Sequence, residues 1–129
     1  MEIAREMDYE RILVLDDLVM INPEVEKLKQ EFHGLVDVYD SYSSDVARRV
    51  NEKQYRVAIV DPNGLLEDHV EVMLNLKERC KGVILIQTDN PPERLGLDEG
   101  IHYDLIHYNK PYDIPELVHQ IRQLANRGL

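Results

Sequence analysis

The stretch that decides the fold is "YRVAIVDPNGL", residues 55–65. Its four consecutive apolar residues, Val57 to Val60, are followed directly by Asp61 and then by Pro, Asn and Gly. A short run rich in Val and Ile suits a strand that is buried on both faces, as in a parallel sheet covered by helices. Taken alone, Asp61 fits a turn as well as a site, because Asp-Pro-Asn-Gly is also turn chemistry.

The bulk composition limits the class of protein. The chain has 129 residues, of which 43% are apolar, and it carries a net charge of −10. This length predicts one domain over residues 1–129, with a core from about 11 to 125. The negative charge argues against binding to nucleic acid or an anionic membrane, although it also serves solubility. With no apolar run long enough for a membrane span and one cysteine, Cys80, we expect a cytoplasmic protein.

Further runs complete the pattern of strands. Ile12 to Leu15 and Val83 to Ile86 are wholly apolar, like Val57 to Val60, and predict central strands. Val36 to Tyr39 and Asp104 to Tyr108 mix polar with apolar residues, which is typical of edge strands. The sequence therefore predicts five strands, three of them central and two at the edges.

Helical patterns separate these strands. Asn22 and Pro23 indicate the start of a first helix that Gly34 ends, and Ser44 is the expected cap of a second. Asp113 and Glu116 resemble a capping box at the start of the last helix. The third helix is expected to bury Leu66, Val70, Met73 and Leu74. The last helix is expected to bury Leu117, Val118, Ile121, Leu124 and Ala125.

The helix expected between the fourth and fifth strands has a weak signal. Residues 89–102 contain Pro91 and Pro92, which can open a helix but cannot lie inside one without loss of hydrogen bonds. Gly96 then interrupts the short stretch that remains before Gly100. We therefore expect a short or atypical fourth helix.

Alternating strands and helices with right-handed crossovers form a parallel sheet with helices on both faces. Mixed second and fifth strands at the edges suit the order 2-1-3-4-5 of a doubly wound (βα)5, flavodoxin-like α/β fold. In such sheets, ligands bind beyond the carboxyl ends of the strands. This topology places Asp61 at the edge where a site is expected.

Polar residues follow four of the predicted strands at this edge. They are Asp16 and Asp17 after the first strand, Asp61 after the third, Thr88 after the fourth and Lys110 after the fifth. Three clustered carboxylates repel one another, and oxygen ligands of this kind suit a hard divalent cation such as Mg²⁺. A carboxylate beside the cation could attack phosphorus, while Lys110 and the cation neutralise the phosphoryl oxygens.

These motifs resemble those of response-regulator receiver domains, the CheY-like phospho-accepting modules of two-component signalling. The matching segments are "ILVLDD" (12–17), "VAIVD" (57–61), "ILIQT" (84–88) and "YNKP" (108–111). The resemblance implies that Asp61 is the phosphoacceptor and that Thr88 and Lys110 contact the phosphoryl group. It implies that Mg²⁺, for which Mn²⁺ can substitute, is held by Asp16, Asp17, Asp61 and the carbonyl of Asn63.

The resemblance also implies the partners and the kind of activity. A sensor histidine kinase or a phosphotransfer protein would donate the phosphoryl group, and a homodimer is possible. Such a domain catalyses its own phosphorylation and dephosphorylation, and it is a signalling switch more than a metabolic enzyme. The sequence leaves open whether the chain acts alone, serves in a phosphorelay or is part of a larger protein.

Some positions depart from the family's habits. Asp89 follows the Thr, where the family usually has a small residue, and a Pro expected at Leu65 stands instead at Pro62. His107, three residues before Lys110, occupies the position of a rotameric aromatic switch, or else is a surface histidine on an edge strand. Asp89 and the weak fourth helix keep an alternative open, a pseudo-receiver that binds a partner constitutively without phosphorylation.

Overall fold

The computed structural model describes residues 11–16, 24–61, 69–86, 91–107 and 113–126. These residues form five strands, four α-helices and one 3₁₀ helix. In chain order they are β1 (Arg11–Leu15), α1 (Glu24–Glu31), β2 (Val36–Tyr39), α2 (Ser44–Asn51), β3 (Tyr55–Val60), α3 (His69–Arg79), β4 (Gly82–Ile86), the 3₁₀ helix (Pro92–Leu95), β5 (Leu105–His107) and α4 (Ile114–Ala125).

The five strands form one parallel sheet in the order β2-β1-β3-β4-β5, which confirms the predicted topology. Strands β3 and β4 are buried at every position, as expected for strands covered on both faces. Strands β2 and β5 lie at the edges, in agreement with their mixed sequences. Two apolar clusters, one on each face, make up the core.

The ends of two helices show how local chemistry sets their bounds. Helix α1 is followed by Gly34, which has a φ of +80° and donates its amide to the carbonyl of Lys29, so the predicted stop is present. The cap of α2 is Ser43, whose hydroxyl accepts from the amide of Val46, and Ser44 is instead the first helical residue. The expected cap was wrong by one position, because either serine offers the same hydroxyl.

Helix α3 buries a face slightly different from the expected one. Met73 is buried as predicted, but Leu74 is 43% exposed, and Val72 and Leu76 supply the remaining buried side chains. The prediction for Leu74 was wrong because the buried face of the helix contains positions 72, 73 and 76, and position 74 lies on the opposite side at 100° per residue. Leu66 lies outside the described residues.

The fourth helix is reduced to a single 3₁₀ turn, as its sequence predicts. Pro92 is its first residue, and Gly96 ends it in the left-handed region at a φ of +72°. The chain then buries Leu97 and Tyr103 against the cluster that α2 and α3 cover. Two prolines and a glycine thus replace a full helix by a short, irregular connection.

The last helix, α4, packs closely on the sheet. Asp113 caps it and accepts from the amide of Glu116 at 3.3 Å. The helix buries Leu117, Val118, Ile121 and Leu124 as predicted, with Ala125 partly buried. Among the described residues, no helix is both long and apolar enough to cross a bilayer.

Candidate functional site

Two carboxylates predicted for the site lie at the carboxyl edge of the sheet, directly after β1 and β3. Leu15 and Val60 are register partners, and Asp16 and Asp61 are the residues that follow them. The amide of Asp61 donates to the carbonyl of Leu15 at 2.8 Å, and that of Asp16 to the carbonyl of Tyr39 at 3.1 Å. Hydrogen bonds of the ladder therefore fix both backbones where the strands end.

Both carboxylates are deeply buried. Asp16 and Asp61 are each 1% exposed, which is unusual for aspartate because removal of a carboxylate from water is costly. Two acidic residues that follow neighbouring strands at the same edge of the sheet offer several carboxylate oxygens as metal ligands within a small region. This donor set fits a hard divalent cation that prefers carboxylate ligands, such as Mg²⁺.

The other predicted site residues, Asp17, Asn63, Thr88 and Lys110, lie outside the described residues, as does Asp89. Within the described part of the chain, no group of three or more His, Cys, Asp or Glu side chains is arranged to hold a metal ion. The cation site predicted from the sequence therefore has two described members, Asp16 and Asp61. Its remaining ligands stay predictions.

His107 occupies the last position of β5, beside Ile86 of β4. It is only 1% exposed, so its interpretation as a surface histidine is wrong. Its ring nitrogen Nδ1 lies 3.0 Å from Oε1 of Gln120, and its Nε2 accepts the backbone amide of Asp113 at 3.3 Å. The edge strand is covered here by α4, which explains the burial.

Sequence reasoning missed Gln120. It is 8% exposed and lies among the apolar residues that α4 turns toward the sheet. Its side-chain amide donates to the carbonyl of Ile106 at 3.1 Å, as well as meeting His107. The sequence did contain a signal for this role, a glutamine within an otherwise apolar helical face. A buried amide requires hydrogen-bond partners, so such a glutamine indicates polar contacts with the element that the helix covers.

A second polar cluster lies at the opposite end of the sheet. Arg11 begins β1 and donates two hydrogen bonds to Asp37 of β2, with Nε at 3.0 Å from Oδ2. The hydroxyl of Tyr55 donates to the same oxygen at 2.9 Å. Burial opposes ionisation of Asp37, but these hydrogen bonds and the charges of Arg11 and Arg49 outweigh it and lower the pKa of Asp37. We interpret this cluster as structural, because it lies far along the strands from Asp61.

Cys80 does not have the character of a reactive thiol. It follows α3 and packs against the same cluster as Leu97. Burial raises its pKa to about 12, so the thiolate that would act as a nucleophile is scarce at neutral pH. Cys80 therefore serves as a small packing residue.

The chain is similar to known proteins in its structure, and the comparisons of its sequence found no match. No protein-family model matches the chain, and no curated protein matches it. Sixteen chains of solved structures match. Among them is chemotaxis protein CheY4 of Vibrio cholerae, with a TM-score of 0.64 over 89% of this chain and 98% of its own, at 17% sequence identity.

The chain has a CheY-like fold. This confirms the fold that the strand-end motifs predicted. In a CheY-like fold the carboxyl edge of the sheet is the place where β1 and β3 bring Asp16 and Asp61 side by side. At 17% identity the likeness establishes the fold, and the chemistry has to be argued from the residues themselves.

Proposed function

We propose that the chain is a phospho-accepting receiver domain of a two-component signalling system, with Asp61 as the phosphoacceptor. The observation that carries the proposal is the pair of buried carboxylates, Asp16 and Asp61, at adjacent strand ends of a CheY-like fold. A carboxylate kept out of water at the ligand-binding edge of such a sheet is costly, and structural packing alone does not require it.

The chemistry is transfer of a phosphoryl group to a carboxylate oxygen. An oxygen of Asp61 attacks phosphorus, and the bond from phosphorus to the donor's leaving group breaks to give an aspartyl phosphate. Asp16, Asp17, Asp61 and the carbonyl of Asn63 would hold Mg²⁺ or Mn²⁺. When bound, this cation supplies positive charge beside the transferring phosphoryl oxygens.

Thr88 and Lys110 have the remaining roles. The hydroxyl of Thr88 donates a hydrogen bond to a phosphoryl oxygen, and the ammonium of Lys110 neutralises part of its charge. Because these residues follow β4 and β5, a change in their positions would alter the nearby surface. The donor is a sensor histidine kinase or phosphotransfer protein in the cytoplasm, and the net charge of −10 disfavours nucleic acid as a direct partner.

The direct test is phosphorylation by acetyl phosphate with Mg²⁺, read out by intact mass. We expect one added phosphoryl group in the wild type, none without divalent cation, and none in Asp61→Asn. The matched control is Asp40→Asn, because Asp40 also follows a strand, β2, but is exposed. Unchanged labelling of Asp61→Asn would refute the assignment of the phosphoacceptor.

A pseudo-receiver is the second candidate, and the 3₁₀ helix in place of a full helix favours it. Asp89, beside Thr88 in the sequence, would oppose an incoming phosphate dianion if it faced the site. The same experiment discriminates between the candidates. A folded wild type that acquires no phosphoryl group from acetyl phosphate or a kinase would support constitutive binding.

A further inference from the structure

A small pocket lies at the amino end of the sheet, between the carboxyl ends of α1 and α4. It has a volume of about 280 Å³, and its apolar lining consists of Ile12, Phe32, Leu35, Val57, Ile121 and Ala125. Ile12 and Val57 are register partners near the starts of β1 and β3. Asp16 and Asp61 follow the opposite ends of the same two strands, so the pocket is separate from the candidate cation site.

The turn after α1 shapes one wall of this pocket. His33 and Gly34 follow the helix with φ values of +55° and +80°, and the amide of Leu35 donates to the carbonyl of Phe32 at 2.9 Å. Two successive residues in the left-handed region turn the chain from the helix toward β2. Phe32 and Leu35 therefore line the pocket from either side of this turn, and both are only partly buried, so apolar surface is available to a ligand.

Arg122 of α4 supplies a polar group at the mouth of the pocket. Its guanidinium carbon lies 5.7 Å from the centre of the Phe32 ring, and its Nη2 donates to Oε2 of Glu31 at 3.3 Å. A guanidinium has five N–H donors, and among the described residues Glu31 is the only hydrogen-bond partner of this one. The side chains of Arg122 and Glu31 are 59% and 48% exposed, and an ion pair so open to solvent contributes little stability. Arg122 can therefore donate to a second carboxylate at little cost.

We propose that this pocket binds a small apolar carboxylate, whose head group pairs with Arg122 and whose body fills the apolar lining. The volume lies just below the range of roughly 300–1,000 Å³ for drug-sized ligands, so the ligand is small. The planar fork of a guanidinium matches the two oxygens of a carboxylate. Arg56 belongs to the wall, where its Nε donates to the carbonyl of Ala125, and we assign it no ligand contact. Such a site goes beyond the proposed function, because binding requires neither Asp61 nor a phosphoryl donor.

The test begins with a matched pair of probe molecules. 3-Phenylpropionate joins an apolar ring to a carboxylate, and 3-phenylpropanol has the same ring without the charge. Each is titrated into the full chain without Mg²⁺ and followed by ¹H–¹⁵N NMR. We expect 3-phenylpropionate to cause saturable shifts of the amides of Phe32, Leu35 and Arg122, with a dissociation constant of about 0.1–1 mM. The alcohol should bind about tenfold more weakly, because it cannot form a charge-assisted pair with the guanidinium.

Two charge variants are expected to change the affinity in opposite directions. Arg122→Gln removes the head-group donor and should weaken binding about fivefold to tenfold. Glu31→Gln removes the competing carboxylate and should strengthen binding about twofold. Arg48→Gln is the control and should leave the affinity unchanged, because Arg48 has the same 59% side-chain exposure but belongs to α2, on the other face of the sheet. Since a misfolded variant would not bind more tightly, Glu31→Gln keeps the test independent of stability.

A third variant tests the apolar lining. Ala125→Leu places a larger side chain in the lining and leaves Arg122 in place, so it should remove detectable binding while a melting curve confirms that the protein is folded. Shifts that do not saturate, equal binding of the acid and the alcohol, or unchanged affinity in Arg122→Gln would overturn the proposal. Unchanged binding in folded Ala125→Leu would also overturn it, because the carboxylate would then bind outside the pocket. None of these results depends on phosphorylation of Asp61, so this proposal and the proposed function can fail separately.

Discussion

Asp16 and Asp61 occupy equivalent positions on neighbouring strands, each directly after one member of the register pair Leu15 and Val60. Both are 1% exposed, so their repulsion is weakly screened by solvent. If the proposed Mg²⁺ site is correct, a cation bound between these oxygen ligands would relieve the repulsion in the folded state and would have no equivalent site in the unfolded chain. Cation binding and folding stability are therefore expected to be coupled.

The first prediction is that Mg²⁺ raises the melting temperature. At ten times the dissociation constant, binding to the folded state alone adds about 1.4 kcal/mol, which corresponds to a shift of a few degrees. Asp17→Ala should abolish this rise, because it removes a predicted ligand. Calorimetry or a circular-dichroism melt is suitable, since the chain has no Trp.

The control for this experiment is Asp45→Ala, which removes an exposed carboxylate of α2 far from the strand ends. It should show the same Mg²⁺-dependent rise as the wild type. A full rise in Asp17→Ala would mean that the cation binds elsewhere.

The second prediction concerns Asp37, whose pKa is lowered from the ordinary value of 3.8. Asp37→Asn should reduce the free energy of unfolding at pH 7 by about 1–3 kcal/mol, because it weakens the bonds from Arg11 and Tyr55. A lowered pKa in the folded state means that this stabilisation is complete above about pH 4 and is lost as the pH falls through the folded value. Urea unfolding of the two proteins at pH 7 and at lower pH would measure the difference.

The comparison with Asp45→Asn tests whether the partly buried charge of Asp37 is the source of this stabilisation. Asp45 is exposed and paired with Arg48 at 2.7 Å, so solvent screens its interaction and its loss should matter little at either pH. A difference between Asp37→Asn and wild type that stayed constant down to acid pH would show that the charge of Asp37 is not responsible.

The third prediction uses the close contact between Gly82 and Leu124. A Cβ added to Gly82 would lie 2.6 Å from Cβ of Leu124, which is closer than such atoms approach. Gly82→Ala should destabilise the protein by about 1–3 kcal/mol, because β4 and α4 have to separate. Leu124→Ala alone removes a buried side chain and should cost about 2–5 kcal/mol.

The double variant would show whether the contact is the cause. Because the Cγ and Cδ1 atoms of Leu124 also lie within 3 Å of the added Cβ, Gly82→Ala with Leu124→Ala should cost less than the sum of the single changes. Strictly additive free energies of unfolding would indicate that Gly82 is required for another reason.

The strands were the most predictable part of this molecule, and side-chain partnerships were the least. Val57 to Val60 and Val83 to Ile86 are apolar at every position, so their burial followed from composition alone, and the mixed Val36 to Tyr39 was correctly placed at an edge. The placement of Asp61 followed from topology. His107 could not be resolved in the same way, because its burial depends on Gln120, thirteen residues away on another element.

The fourth prediction concerns the connection from Pro91 to His102, which contains the 3₁₀ helix. Its amides should exchange with solvent faster than those of β4, because a single turn has few hydrogen bonds, such as Leu97 to Pro92 at 3.0 Å. In receiver domains the face near this segment commonly carries output or dimerisation. If the chain signals by ordering this segment, beryllofluoride with Mg²⁺ should slow its exchange. Unchanged exchange on addition of beryllofluoride would place the output on another face. Strong protection of these amides in the absence of beryllofluoride would contradict the prediction that this segment is weakly ordered.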